Sequence, residues 1–76
     1  MKTSPKEVIA KEFGKFIREA REEQGLYQAE IAERLGLSRS YYTLIESGER
    51  EIYFSLAFNI CCVLNLDLGE FMKRLK

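Results

Sequence analysis

Residues 28–46 read QAEIAERLGLSRSYYTLIE, a segment in which two short helix-forming runs flank a break. The three- and four-residue spacing of its apolar positions predicts one helix over 28–35 and a second over about 39–46. Gly36 supplies the backbone conformation that reverses the chain within three residues, and Ser38 can cap the second helix. The segment therefore predicts two short helices that cross at an angle, with the outer face of the second helix exposed.

The flanking sequence predicts three further helices, at about 5–24, 54–64 and 67–75. The first begins with Ser4 as a cap and Pro5 at the first helical position, and Gly25 ends it. Asp67 opens a capping box at the start of the last helix. No segment alternates apolar and polar residues with the two-residue period of a strand. The sequence therefore predicts an all-α fold of five helices in a single domain over residues 1–76.

The composition is that of a folded domain with balanced charge. The chain has 76 residues, with 12 Lys and Arg against 12 Asp and Glu and no His, so its formal net charge is zero. Hydrophobic residues make up 46% and charged residues 32%, a profile that excludes a disordered tail. No apolar run approaches the ~20 residues that cross a bilayer, and the N-terminus lacks the apolar stretch of a signal peptide. We therefore expect a cytoplasmic protein with no membrane partner.

The sequence offers no set of residues for catalysis or for metal binding. It lacks His, which is the commonest general base and the commonest metal ligand. Cys61 and Cys62 are adjacent, and no His or second Cys pair completes a zinc site. We interpret them as small apolar residues of a helix, with a redox pair as the alternative. We therefore expect no enzyme activity, no metal, no cofactor and no small-molecule substrate.

Five residues at linked spacings connect the chain to a known family: Gln28, Ala32, Gly36, Glu46 and Gly48. With the stretches at 13–21, 25–41 and 45–50, they resemble the Cro/phage-repressor helix-turn-helix family over about residues 12–72. Among its relatives, stand-alone restriction–modification controller proteins look most similar, because they have no effector domain and have a Ser-Tyr pair early in the second helix of the motif. The resemblance implies a five-helix Cro/repressor-like domain, with its helix-turn-helix unit at about 28–46 and a C-terminal helix at about 67–75 that serves dimerisation.

The resemblance implies DNA contacts for seven residues: Gln28, Arg39, Ser40, Tyr41, Thr43, Leu44 and Arg50. Gln28 matches a family glutamine that touches the DNA backbone, and Arg50 matches a residue that often contacts phosphate. The other five match or lie near positions of the recognition helix that face base edges and flanking phosphates. The chemistry of these side chains agrees, since the planar fork of Arg39 can bind guanine O6 and N7 together. Leu44 can pack on a thymine methyl group.

Four further positions of the motif concern its structure. Arg21 and Glu46 match a family ion pair that is buried between the first helix and the end of the recognition helix. Tyr27 stands where the family has a Ser or Thr cap, so ~1 kcal/mol of capping should be missing. Its ring either covers the edge of the core or contacts the sugar-phosphate backbone. Tyr42 stands where the family has Ile or Val, and we expect its ring to fill the core while its hydroxyl reaches the surface.

The apolar residues towards the C-terminus exceed what a small core can hold. A chain of this length buries only ~60% of the surface that its unfolded form exposes. Apolar residues surround the whole circumference of the helix predicted at 54–64, and an exposed patch of this kind usually marks an interface. We therefore expect a twofold homodimer through six residues: Tyr53, Phe54, Phe58, Phe71, Met72 and Leu75. Such a dimer would set two recognition helices ~34 Å apart, which is the spacing of successive major grooves.

These features predict a sequence-specific transcriptional regulator, a repressor or controller protein, that binds a near-palindromic operator in double-stranded DNA as a homodimer. Charge leaves one alternative open, because DNA affinity rests mainly on Lys and Arg. Residues 26–50 hold three basic side chains (Arg34, Arg39 and Arg50) against four acidic ones (Glu30, Glu33, Glu46 and Glu49). If this balance prevents DNA binding, the domain is a protein-interaction module that has lost DNA binding. The apolar helices leave a second alternative, an antitoxin-like protein that binds DNA and also masks a toxin.

Overall fold

The computed structural model describes residues 5–75, which form five α-helices and no strand. The helices are α1 (Pro5–Glu23), α2 (Gln28–Leu35), α3 (Arg39–Ser47), α4 (Phe54–Val63) and α5 (Leu68–Arg74). The all-α prediction is confirmed, and each predicted helix bound agrees with the observed one to within one residue. The expected Ser4 cap lies outside the described residues.

A tight turn sets the angle between α2 and α3. Gly36 ends α2 with a φ of 71°, a left-handed conformation that glycine adopts without steric cost. The Leu37 N–H then donates to the Ala32 carbonyl at 2.9 Å, which closes the turn. Ser38 accepts a hydrogen bond from the Tyr41 N–H at 3.1 Å and so caps α3, as the sequence predicts. The turn therefore fixes the direction in which α3 leaves the body of the domain.

The helices α1 and α3 cross at backbone distance. Gly14 lies within α1, and a Cβ atom there would stand 2.8 Å from the Ile45 carbonyl oxygen and closer still to that of Glu46. At the end of α3, a Cβ atom on Gly48 would stand 2.7 Å from the Lys11 Cα. Interiors are packed too densely for a neighbouring backbone to move away at no cost, so both positions need glycine. This crossing holds α3 against α1 and leaves the opposite side of α3 exposed.

The core lies where the five helices meet. Its largest fully buried side chains come from α1 to α4 and from the end of α4: Phe13, Ile17, Ile31, Tyr42, Ile45, Ile60, Cys61 and Leu64. Phe71 of α5 closes this core, with its ring edge-on to Phe13 at 5.1 Å between centroids and beside Phe16 at 5.4 Å. Phe71 is only 4% exposed. The prediction that its side chain belongs to an exposed interface is wrong, because α5 turns this ring inward onto α1.

The other five residues predicted for an interface remain exposed on the surface: Tyr53, Phe54, Phe58, Met72 and Leu75. We call them the apolar face. Phe54 is 73% exposed, and its ring stacks on that of Phe58 with 6.1 Å between centroids and 22° between planes. Beside this stack, an apolar groove runs between α1, the loop before α4, and α5. The excess of apolar residues in the sequence is therefore only partly absorbed by the core of one chain.

None of the helices in residues 5–75 is by itself long and apolar enough to cross a membrane. Within these residues, only α4 and α5 taken together have the length and composition of a membrane-spanning segment. These two helices are bent by 117° relative to each other.

Candidate nucleic-acid interface

The outer side of α3 and the first residue of α2 together line an open groove, which we call the α3 face: Gln28, Arg39, Ser40, Thr43 and Leu44. Arg39, Ser40 and Thr43 are exposed, whereas Gln28 and Leu44 are partly buried. The residues of α3 meet on one side because positions three and four apart are neighbours on a helix surface. The structure thus brings together five of the seven residues that the sequence predicts for DNA contact. Their groups offer a guanidinium, an amide, two hydroxyls and one apolar side chain.

The remaining two predicted residues, Tyr41 and Arg50, lie against each other. The Arg50 guanidinium carbon stands 5.5 Å from the centroid of the Tyr41 ring, within the range of a cation–π contact. Arg50 follows the end of α3 in the chain, and the partly buried Tyr41 ring gives it a support there. The contact restrains the side chain of Arg50, whose orientation could not be predicted from the sequence.

Gln28 is held by hydrogen bonds at both ends of its side-chain amide. Its Nε2 donates to Glu46 Oε1 at 3.0 Å, and its Oε1 accepts from the Thr43 hydroxyl at 2.9 Å. An amide nitrogen carries two hydrogens, and within residues 5–75 the second one has no protein acceptor. That hydrogen is available to a ligand on the α3 face. The link between Gln28 and Thr43 could not be predicted from the sequence, since the two residues are 15 positions apart and no spacing rule connects them.

Arg21 and Glu46 form an ion pair between α1 and α3. Arg21 Nε donates to Glu46 Oε2 at 2.7 Å and Arg21 Nη2 donates to Glu46 Oε1 at 3.0 Å, a two-pronged geometry. The Glu46 side chain is 3% exposed and that of Arg21 is 11% exposed. Arg21 Nη1 also donates to the Leu26 carbonyl at 2.8 Å, which secures the guanidinium from the other side. The pair therefore fixes the end of α3 to α1 and supplies the carboxylate that accepts a hydrogen bond from Gln28.

The charged state of this pair is favoured by its surroundings. Burial alone would raise the pKa of Glu46, but hydrogen bonds from Arg21 and Gln28, together with the Arg21 charge, hold that pKa below its ordinary range. The hydrogen bond to Glu46 raises the pKa of Arg21 against the opposing effect of burial. Both side chains are consequently ionised at neutral pH, and their charges cancel within the domain.

Tyr42 is fully buried, including its hydroxyl group. Its side chain is 0% exposed, so the prediction that its hydroxyl reaches the surface is wrong. The hydroxyl lies next to Glu46 and Arg21 without a hydrogen bond of good geometry. Burial, followed by the neighbouring Glu46 carboxylate, raises the pKa of Tyr42 far above its ordinary value. The whole side chain lies in the core rather than at the surface, a placement that the residue type does not encode.

Tyr27 begins α2 without capping it through its side chain, as expected from the sequence. Its ring is 75% exposed, which excludes the alternative that it covers the edge of the core. Glu30 instead accepts a hydrogen bond from the Tyr27 backbone N–H at 2.8 Å. This bond is half of a capping box and recovers part of the missing stabilisation. The signal for it, a glutamate three residues after the cap position, is present in the sequence and was missed.

The surface around α3 is less acidic than the count of charged residues in 26–50 suggests. Of the four carboxylates in residues 26–50, Glu46 is neutralised inside the domain by Arg21. The carboxylate of Glu49 accepts a hydrogen bond from the Ser47 hydroxyl at 2.9 Å, beyond the end of the α3 face. No carboxylate in the described chain forms an ion pair with Arg39. The guanidinium of Arg39 is therefore exposed and uncommitted on the α3 face.

The two cysteines lie away from this face and differ in exposure. Cys61 is buried and Cys62 is exposed, and both are free thiols. Burial, with smaller effects from Cys62 and Asp67, raises the pKa of Cys61 to about 11. Since the thiolate is the reactive form, this environment suits a packing residue. Across residues 5–75, no three His, Cys, Asp or Glu side chains come together in a group that could hold a metal ion.

Two helices joined by a glycine-based turn, with exposed polar side chains on the second, define a helix-turn-helix domain. A helix-turn-helix family model matches residues 17–71. The chain belongs to this family, of the Cro/phage-repressor type, as the sequence motif indicates. The family is a class of DNA-binding regulators and not a class of enzymes. The narrower likeness to restriction–modification controller proteins stays a prediction.

Relatives support this assignment. The 10 kDa protein of the ImmF control region of Bacillus phage phi105 is 38% identical over 59 residues, or 78% of this chain and 66% of that protein. YqaE of Bacillus subtilis (strain 168), an uncharacterised HTH-type transcriptional regulator, is 31% identical over 61 residues, or 80% of this chain and 53% of that protein. The chain thus spans between half and two thirds of the length of these curated relatives. The clp gene regulator ClgR from Corynebacterium glutamicum shares the fold, with a TM-score of 0.81, 24% identity, and coverage of 90% of this chain and 72% of that chain.

Proposed function

We propose that this protein is a sequence-specific DNA-binding transcriptional regulator that places α3 in the major groove. The observation that carries the proposal is the α3 face, on which an uncommitted guanidinium, two hydroxyls and a clamped amide lie together on an exposed helix. An α-helix fits the ~12 Å width of the major groove. Regulators of this architecture read bases mainly with the N-terminal residues of their second motif helix, where Arg39 and Ser40 stand.

Within this proposal, Arg39 is the main reader of sequence. It is the first residue of α3, it is exposed, and it has no ion-pair partner in the described chain. Its two outer nitrogens match the O6 and N7 acceptors of guanine, a contact worth ~1–3 kcal/mol of discrimination. Ser40 supplies a hydroxyl to a base or phosphate, and Leu44 packs against a thymine methyl group. These contacts would give preference for a guanine beside an A·T pair.

The proposed contacts to the DNA backbone are made by residues at and just beyond the two ends of the α3 face. Gln28 offers its second amide hydrogen to a phosphate, and Arg50, supported by Tyr41, offers a charge on the other side. Tyr27, whose ring is exposed next to Gln28, contacts the sugar-phosphate backbone. Such contacts fix the register of the protein on the duplex and carry no sequence information themselves.

The apolar face is the proposed homodimer interface. Stacked Phe54 and Phe58 stand exposed beside an apolar groove, an arrangement that costs free energy in water unless another surface covers it. In a twofold dimer the same patch serves both copies, so each stack can lie against the groove of the partner. Two α3 helices ~34 Å apart would then read a near-palindromic operator. The position of that operator relative to a promoter decides between repression and activation.

Fluorescence anisotropy with pools of genomic DNA fragments, at two salt concentrations, tests this function. We expect binding that weakens steeply with salt, because phosphate contacts release counterions, and that loses its preference for particular fragments in Arg39→Ala. Arg34→Ala is the matched control, since Arg34 is an exposed arginine of α2 that does not line the α3 face. Absence of binding at low salt would contradict the proposal. A second protein that co-purifies through the apolar face would then favour an interaction module or a toxin partner.

A further inference from the structure

We propose that Thr43 is a positioning residue, which orients the side-chain amide of Gln28 so that its free hydrogen meets a DNA phosphate. This inference rests on the proposed DNA-binding function. It assigns Thr43 a role through Gln28, in place of the base or backbone contact that its exposed position on α3 first indicates.

The orientation of the Gln28 amide follows from its two partners. Glu46 is an ionised carboxylate, which accepts hydrogen bonds and has none to donate. The nitrogen end of the Gln28 amide must therefore face Glu46, and its oxygen end must face Thr43. The reverse orientation would set the amide oxygen against the carboxylate at about the same 3.0 Å separation, which is electrostatically unfavourable. Thr43 is thus required to be the donor.

The hydroxyl of Thr43 is itself fixed by the backbone of its own helix. It lies 2.9 Å from the Arg39 carbonyl oxygen and 2.9 Å from Gln28 Oε1, so its single proton is shared between two protein acceptors. A threonine hydroxyl bonded to the carbonyl four residues earlier is held in one rotamer of a helix. With its proton committed, Thr43 has no hydrogen to donate to a base or phosphate. Its hydroxyl therefore serves to orient the side-chain amide of Gln28.

These bonds form one chain from the interior to the surface. The Leu26 carbonyl anchors Arg21, Arg21 holds Glu46, Glu46 holds Gln28, and Thr43 holds the far end of the amide. A side chain fixed at both ends loses little rotamer freedom when it binds a phosphate, and this preorganisation raises affinity. Removal of the Thr43 hydroxyl frees one end of the amide while the buried ion pair stays in place.

A double-mutant cycle on a DNA fragment that the wild-type protein prefers tests the inference, with dissociation constants measured for Thr43→Val, Thr43→Ser, Gln28→Ala and the Gln28→Ala/Thr43→Val double variant. We expect Thr43→Val to weaken binding about fivefold, the effect of one hydrogen bond, and Thr43→Ser to stay within about twofold of wild type. The double variant should bind like Gln28→Ala alone, because Thr43 acts only through Gln28. The loss in Thr43→Val should also be uniform across DNA sequences, as for a phosphate contact.

A second measurement reports on the free protein. The side-chain amide signals of Gln28 in a nitrogen–proton NMR spectrum should move and exchange faster with water in Thr43→Val, and not in Thr43→Ser. Losses that add in the double variant, or a loss confined to certain DNA sequences, would show that Thr43 touches DNA itself and overturn the inference while the DNA-binding function stands. If the wild-type protein binds no DNA at low salt, both the function and this inference fail.

Discussion

The carboxylate of Glu46 lies between Arg21 and Gln28, so that a single buried side chain ties α1 to α3 and also supports the amide at the start of α2. The side chain of Glu46 is almost completely buried, and its negative charge is compensated inside the domain. Stability and the shape of the α3 face therefore depend on the same residue.

Glu46→Ala should lower the free energy of unfolding by about 3–5 kcal/mol, because it leaves the Arg21 guanidinium buried without its partner. Urea denaturation followed by circular dichroism measures this loss. The control is Glu51→Ala, which removes an exposed ion pair with Lys6 at 3.7 Å and should cost less than about 1 kcal/mol. DNA binding should weaken together with stability in Glu46→Ala. A variant with an unchanged melting temperature and lost binding would contradict this view of the pair.

The stability should depend on pH through Glu46. The folded protein holds the pKa of this carboxyl below the ordinary glutamate value of about 4.3. Its contribution is therefore fully present above that value and is lost as the pH falls through the lower, folded pKa. Unfolding free energies between pH 7 and pH 3 should fall less steeply in Glu46→Gln than in the wild-type protein. Parallel curves for the two proteins would show that Glu46 has no such role.

Tyr42→Phe should leave stability unchanged or raise it by about 1 kcal/mol. The variant keeps the buried ring and removes a hydroxyl that is desolvated without a well-formed hydrogen bond. Thermal unfolding of the two proteins at neutral pH makes the comparison. A loss of more than about 1 kcal/mol would mean that the hydroxyl does bond the Glu46 carboxylate in solution.

Gly14→Ala should destabilise the fold by about 1–3 kcal/mol, although alanine is the better helix former. The added Cβ atom would stand 2.8 Å from the Ile45 carbonyl oxygen, so α1 and α3 must separate. Lys15→Ala, at the next and exposed position of α1, is the control and should stay within about 0.5 kcal/mol of wild type. Equal stabilities for the two variants would argue against the close crossing.

Phe54→Ser should shift the protein from dimer to monomer, as measured by analytical ultracentrifugation over a range of concentrations. The ring is exposed in one chain, so its loss should leave the core intact. Val8→Ser is the control, because Val8 is an exposed apolar residue of α1 that does not line the groove beside the apolar face. A wild-type protein that sediments as a monomer at high concentration would contradict the proposed interface.

The course of the chain could be predicted because its helix ends are encoded locally. Gly25, Gly36 and Gly48 all adopt positive φ values at the helix ends that the sequence indicates. Ser38 caps α3 through its own side chain. Each of these signals acts within a few residues, so no knowledge of the tertiary fold is needed to find it.

The details of the site depend on contacts between distant residues. The burial of the Tyr42 hydroxyl and the bond between Thr43 and Gln28 exist only once α2 and α3 are placed against α1. Phe71 lies in the core because α5 packs on Phe13 and Phe16, residues more than fifty positions earlier in the chain. Residue type and spacing show that these side chains are important, but they do not show which way each one turns.

Selection of bound sequences from a pool of randomised duplex DNA, by the wild-type protein and by Arg39→Ala, tests directly whether α3 reads DNA. For the wild-type protein we expect a near-palindromic site with a fixed guanine in each half, and for the variant we expect loss of preference at that guanine alone. Enrichment of the same sites by both proteins, or no enrichment by either, would contradict the claim that α3 reads DNA through Arg39.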